Sequence, residues 1–117
     1  MPDDWTELPM EHYSAWRAVL NGMAEAHELT RPAACPLCGT GTLHLAFGLW
    51  GPGTPRTVGG EPYLGAGRHW EWCDNCLAHD YSCNDLVPAW AGPSLIPPTV
   101  GTRDPSEVIP HLAAPGA

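Results

Sequence analysis

Cys35-Pro36-Leu37-Cys38-Gly39-Thr40-Gly41 opens a pattern that Cys73-Asp74-Asn75-Cys76 repeats after 34 intervening residues. Each C-x-x-C unit makes a tight turn, and two such turns can direct four sulfurs onto one tetrahedral ion. Pro36 stiffens the first turn, and Gly39 lets backbone amides approach the sulfurs. The separation exceeds the roughly 15 to 20 residues of common fingers. The surplus is rich in Gly and Pro and can loop outward, because closure costs only about 0.6 kcal/mol per doubling of loop length. Cys35, Cys38, Cys73 and Cys76 are therefore expected to form one closed, structural four-thiolate zinc site, contributing on the order of 10 kcal/mol to folding. Iron in the same sulfur cage is one alternative. A pair of thioredoxin-like redox motifs is another, but neither pair sits between a strand and a helix of a βαβ pattern.

Strands are expected on either side of the cysteine pairs. Thr42-Leu43-His44-Leu45-Ala46-Phe47 alternates like a strand, Arg68-His69-Trp70-Glu71-Trp72 runs into the second pair, and His79-Asp80-Tyr81-Ser82-Cys83 follows it. With Cys35-Pro36-Leu37-Cys38-Gly39, Trp70-Glu71-Trp72 and Cys73-Asp74-Asn75-Cys76, residues 34–85 resemble the zinc-ribbon group, and more loosely the small bacterial zinc-ribbon proteins. The resemblance implies a three-stranded antiparallel β fold clamped by zinc between two knuckles, with these four cysteines as ligands. Leu77 stands where glycine is common in the second knuckle, a departure that bears on its turn.

Upstream, Tyr13, Trp16, Leu20 and Met23 recur at helical spacing within residues 9–28, predicting an amphipathic helix. Thr6 is read as its cap and Thr30-Arg31-Pro32 as its end. Gly22 weakens its middle by about 1 kcal/mol relative to alanine. Residues 51–67 contain six glycines and three prolines and read as a long, flexible hairpin loop. From Pro88 the prolines are too frequent and the apolar residues too irregular for a core, so the tail is expected to be extended or disordered, with Trp90, Leu95 and Ile96 able to lie back on the domain. The expected architecture is a small α+β chain: an N-terminal helix packed on the ribbon (1–31), a zinc-ribbon domain (32–87) and a Pro-rich tail (88–117).

Composition bounds the function. The chain of 117 residues has room for one small domain, which commonly needs a metal or disulfides for stability. Its five cysteines are an odd number, which fits disulfides poorly. The start Met1-Pro2-Asp3-Asp4-Trp5-Thr6-Glu7 lacks a basic, apolar leader, and no run approaches the roughly 20 apolar residues of a membrane span, so a cytoplasmic protein is expected. There is no lysine, and five arginines face thirteen acidic residues for a net charge of −8. Such a balance repels phosphate backbones, which argues against nucleic acid as a partner.

The expected function is non-enzymatic: an acidic zinc-ribbon module that binds another protein, including a toxin or effector that it neutralises. The alternatives are a nucleic-acid-associated ribbon and a small metalloenzyme or thiol-redox protein using Cys83 or a histidine. His79 and Cys83 are candidates to replace a ligand, with His44 and His69 nearby, but the cysteine set is complete without them. Glu71 and Asp80 read as solvated strand residues. Trp16, Trp70 and Trp72 are expected in a second core beneath the helix or, alternatively, in an aromatic contact patch. Arg56, Tyr63 and Arg68 beside the glycine-rich loop form another candidate contact surface.

Overall fold

The computed structural model describes residues 5–112. Residues 1–4 and the last five residues of the predicted tail lie outside the described residues. In chain order the elements are β1 (Thr6–Glu7), α1 (Tyr13–Glu25, entered through a 3-10 turn at Met10–His12), β2 (Thr30–Arg31), β3 (Leu43–Leu49), β4 (Arg56–Val58), β5 (Glu61–Cys73), β6 (Ala78–Pro88) and α2 (Ile109–Leu112). The strands follow the order β1-β6-β5-β3-β2, with β4 paired to β5 off this path. The sheet is mixed: β1 runs parallel to β6, whereas β2 and β3, like β4 and β5, are antiparallel. The three predicted strands fall in β3, β5 and β6: the first starts one residue later than expected, at Leu43, and runs on to Leu49, and the other two extend further in both directions than alternation alone suggested.

The chain forms two units. The first comprises the chain up to Leu45 together with Glu71–Asp80. Its helix buries Trp16, Leu20 and Met23, whose spacing places them on one stripe, while Tyr13 is exposed and lies against the Arg17 guanidinium instead. Leu43, Leu45 and Trp72 supply further buried apolar surface from the sheet. Thr6 is not the helix cap. It pairs with Ala78 in β1, and Pro9, in extended conformation, leads into the 3-10 turn. The helix also stops before Thr30-Arg31-Pro32. His27 adopts φ 57°, its amide donates to the Ala24 carbonyl at 3.1 Å, and the Glu28 amide donates to the Met23 carbonyl at 2.8 Å. This is the paired closure of a Schellman motif, with histidine at the position glycine usually takes.

Glu71 is not solvated. It is 1 % exposed, accepts from Trp16 Nε1 at 2.9 Å, and binds Arg17 through both oxygens at 2.6 and 2.8 Å. Arg17 also reaches Asp80 at 3.4 Å, so Asp80 is half-buried in the same group. A buried carboxylate persists only where its charge and lone pairs are satisfied, and the bidentate guanidinium with the indole N–H does this. Burial pulls the Arg17 guanidinium down, but the hydrogen bond and charge of Glu71 outweigh it and its pKa is raised.

The second unit comprises Ala46–Trp70 and the chain from Tyr81 onward. The stretch expected as an irregular loop contains the β4–β5 hairpin, with Arg56 opposite Tyr63 and Val58 opposite Glu61. Gly59 and Gly60 have φ of 56° and 84°, the left-handed pair that a two-residue type I′ turn requires. Among the described residues, the tail from 88 to 112 is not extended chain. Ala91, Ile96, Val100, Pro105 and Val108 are buried, Ile96 N–H donates to the Phe47 carbonyl at 2.8 Å, and Asp104 caps the 3-10 turn Pro105–Glu107 by accepting from Ser106 N–H at 2.9 Å. Trp90 meets Phe47 edge-on.

Arg68 is not on a contact surface. It is 3 % exposed and sandwiched between the rings of Trp50 at 5.0 Å and Trp70 at 4.6 Å, with Nη2 facing the carbonyls of Pro97 and Pro98 at 3.5 Å. Trp16, Trp70 and Trp72 are all core residues, which removes them from any surface patch; among the described residues Trp50 and Tyr13 are large aromatics that face solvent.

Candidate metal centre

The two C-x-x-C turns bring their sulfurs together within the first unit. Each of Cys35, Cys38, Cys73 and Cys76 offers a sulfur, and the four lie within 4.8 Å of one another. Cys35 Sγ is 3.7 Å from Cys76 Sγ, and Cys38 Sγ is 3.6 Å from Cys73 Sγ. Four thiolates at about 2.3 Å from a tetrahedral ion stand about 3.8 Å apart, whereas a disulfide would hold two sulfurs at about 2.05 Å. The close pairs thus join one turn to the other at the separation of a shared ion, and all four cysteines are free thiols. The donor set is soft, complete and tetrahedral in number, and fits a single metal ion.

Local backbone chemistry shapes each turn. In the first, the Gly39 amide donates to the Cys35 carbonyl at 2.8 Å, and Gly39 has φ 75°. The Gly41 amide reaches a sulfur, donating to Cys38 Sγ at 3.4 Å. A Cβ on Gly41 would collide with Cys73 Sγ and lie 2.9 Å from Asn75 Cβ. Gly41, rather than Gly39, is therefore the glycine that lets the backbone close on the sulfurs. In the second turn, the amides of Asn75 and Cys76 donate to Cys73 Sγ at 3.4 and 3.5 Å. Leu77 occupies the left-handed region at φ 63°, so the turn keeps its geometry at the expense of backbone strain.

Polar contacts tie one turn to the other. Thr42 N–H donates to Asp74 Oδ1 at 3.0 Å, Asp74 N–H donates to the Thr42 carbonyl at 3.2 Å, and Asn75 Nδ2 donates to Thr40 Oγ1 at 3.2 Å. His44 stacks on Trp72 with ring centroids 5.0 Å apart and pairs with Asp74 at 3.2 Å. These contacts hold the ligand-bearing turns in register, as outer partners do around metal sites.

The sulfurs are electrostatically unequal. Hydrogen bonds from the Asn75 side chain and from the backbone at Thr40 and Gly41 bring the Cys38 thiol down to about 5. Burial pushes Cys73 up to about 12 and raises Cys76 as well. Four adjacent thiolates repel one another, so full ionisation calls for a cation among them.

The other candidate residues lie elsewhere. His79 Nδ1 is 2.9 Å from the Thr6 carbonyl oxygen, and neither it nor His44 joins the sulfur cluster. His69 pairs with Asp85 at 2.5 Å in the second unit, where Cys83 is exposed and likewise outside the cluster. The sequence reasoning missed Gly41 and Glu71. The Gly39-Thr40-Gly41 spacing could have pointed to the first; no local pattern marks the second, whose partners are 54 and 55 residues away. Among the described residues no helix is long and apolar enough to cross a membrane. Comparison with protein-family models, with curated proteins and with solved structures finds no match.

Proposed function

We propose that the chain is a non-enzymatic zinc-ribbon protein in which one structural zinc ion, held by Cys35, Cys38, Cys73 and Cys76, fixes a surface for binding another protein. The observation that carries this reading is the convergence of four sulfurs within 4.8 Å. Four thiolates close a tetrahedral shell and leave no position for substrate or water, the arrangement of structural rather than catalytic zinc. Zinc is the ion best suited to a closed S4 shell without redox demands, and iron is the competitor the test must separate.

Charge supports a protein partner over a nucleic acid. Of the five arginines, Arg17 binds Glu71, Arg31 binds Glu28 at 2.6 Å, and Arg68 is buried between two indoles. Few cations remain for phosphates against a net charge of −8, and such a surface favours a basic protein, the character a neutralised toxin or effector would need. The cytoplasm, where thiols stay reduced, is the compartment in which this site would persist.

Elemental analysis of protein purified without added metal should give one zinc per chain, and Cys73→Ser should lose it together with the fold of the first unit. Iron in place of zinc would change the assigned ion, and a folded chain with no metal would overturn the site itself. Affinity capture with cross-linking should then recover a stoichiometric basic protein; tight salt-sensitive binding to single-stranded nucleic acid without such a partner would favour the other reading.

A further inference from the structure

Within the first unit, residues 5–31 make hydrogen bonds to the strand-turn-strand segment that carries Cys73 and Cys76. Thr6 N–H donates to the Leu77 carbonyl at 3.0 Å and Leu8 N–H to the His79 carbonyl at 2.8 Å. Trp5 meets His79 edge-on at 6.2 Å, and His79 Nδ1 contacts the Thr6 carbonyl. Trp16 and Arg17 converge on Glu71, two residues before Cys73, and Arg17 continues to Asp80, four residues after Cys76. Further contacts of this N-terminal stretch go to the start of β3, through Leu45 N–H to the Leu29 carbonyl and the pairing of Thr30 with His44. That strand leaves the first cysteine turn.

The polar groups that hold α1 in place are thus carried by the two strands that flank a turn whose own geometry depends on where its sulfurs go. Cys73 is buried, and the Leu77 that closes its turn is strained at φ 63°. The two cysteine turns are joined to each other by exposed hydrogen bonds such as Thr42–Asp74 and Asn75–Thr40. Exposed hydrogen bonds contribute modestly, whereas a four-thiolate metal contributes on the order of 10 kcal/mol. The second unit has a buried set of its own in Phe47, Trp70, Val87, Ile96, Val100 and Val108, and contains none of the four cysteines.

We infer that metal occupancy of the cysteine cluster controls the docking of α1: loading holds the helix on the sheet, and metal loss releases residues 5–31 while the second unit stays folded. Release would expose the apolar stripe of Trp16, Leu20 and Met23, so the metal decides whether this face is hidden or presented. The inference rests on the proposed metal site and adds a consequence that a purely static clamp lacks. Because binding couplings are reciprocal, loosening α1 must weaken metal binding by the same factor that metal loss loosens α1.

Hydrogen exchange read by mass spectrometry on the full-length chain tests this, with zinc loaded and then stripped by a chelator under reducing conditions. Stripping should speed exchange in Tyr13–Glu25 and Glu71–Asp80 by about 5- to 150-fold, the span of ordinary coupling energies, and leave Val87–Val108 protected. Glu71→Gln, which removes one partner charge and retains the side-chain shape, should lower zinc affinity in competition with a chromophoric chelator by a factor matching its loss of helix protection. Equal protection of Tyr13–Glu25 with and without zinc would overturn the coupling and leave the metal site standing. Simultaneous loss of protection in Val87–Val108 would also overturn it, by showing one cooperative fold. A chain that takes up no zinc would overturn both this inference and the proposed function.

Discussion

Gly39 and Gly41 are two residues apart, yet their substitution should have different outcomes. Alanine at 39 meets no atom within 4 Å and carries only the strain of φ 75°, about 1 kcal/mol; alanine at 41 meets Cys73 Sγ and Asn75 directly. Gly39→Ala should therefore keep its metal with a slightly lower melting temperature, and Gly41→Ala should bind metal at least about tenfold more weakly, since each 1.4 kcal/mol of steric cost is tenfold. Chelator competition separates the two, and equal retention by both variants would mean that the turn can relax around Gly41. Ala33 offers the converse case. It is exposed at φ 54°, so Ala33→Gly should raise stability by up to about 1 kcal/mol in a denaturant titration. Acid should act on the sulfurs in sequence. Raised thiols at Cys73 and Cys76 must give up protons to bind metal at neutral pH, whereas Cys38, at about 5, is already ionised there. Lower pH returns those protons and weakens metal binding, and the dependence should steepen below about 5 as Cys38 also takes one up. Metal retention measured across pH 4 to 8 (roughly the span between carboxylate and thiol titration) checks the direction.

At the scale of elements, the turn that the sequence reading passed over makes the sharpest prediction. Gly59 and Gly60 join β4 to β5 with both residues left-handed, a conformation that costs an L-residue roughly 1 to 2 kcal/mol. Gly60→Ala should open the hairpin locally, raising amide exchange in Arg56–Tyr63 while the metal site is unaffected. Unchanged exchange there would show that pairing along β5 does not need this turn. The signal was present, since Gly-Gly between two short runs is a hairpin cue, but it sat among four other glycines and three prolines in residues 51–67 and read as part of an irregular loop. Local signals were legible where one spacing dominated: the C-x-x-C turns, the stripe of Trp16, Leu20 and Met23, and the alternation at the start of β3. They failed at Glu71, because the charge of a strand residue suggests solvent unless its partner is known, and Arg17 lies 54 residues away in sequence. They failed again at Arg68, whose burial depends on Trp50, Trp70 and the carbonyls of two prolines 29 and 30 residues downstream.

For the whole molecule, the segment after Pro88 decides how much of the chain counts as core. Proline frequency suggested an extended tail because prolines interrupt both regular structures. Here they sit where interruption is useful: Pro88 precedes one 3-10 turn, Pro105 begins another at the position where a missing N–H costs nothing, and Pro97 and Pro98 turn their carbonyls toward Arg68. Between them Ile96, Val100 and Val108 are buried, each worth about 1.5 to 3 kcal/mol of transfer energy, a sum comparable with the 5 to 15 kcal/mol that holds a typical small fold together. A stop after Pro88 would also leave Arg68 without its carbonyl partners and Trp70 Nε1 without the Thr102 carbonyl it reaches at 3.1 Å. The truncated chain should therefore lose protection throughout residues 46–70 and 81–88. Its metal content should stay at one ion per chain, because the four cysteines and the helix attached to them lie in the other unit. If the truncated protein instead melts within about 1 kcal/mol of the parent, the tail is an ornament of the second unit rather than part of its core, and the burial of Ile96, Val100 and Val108 contributes far less than their transfer energies indicate.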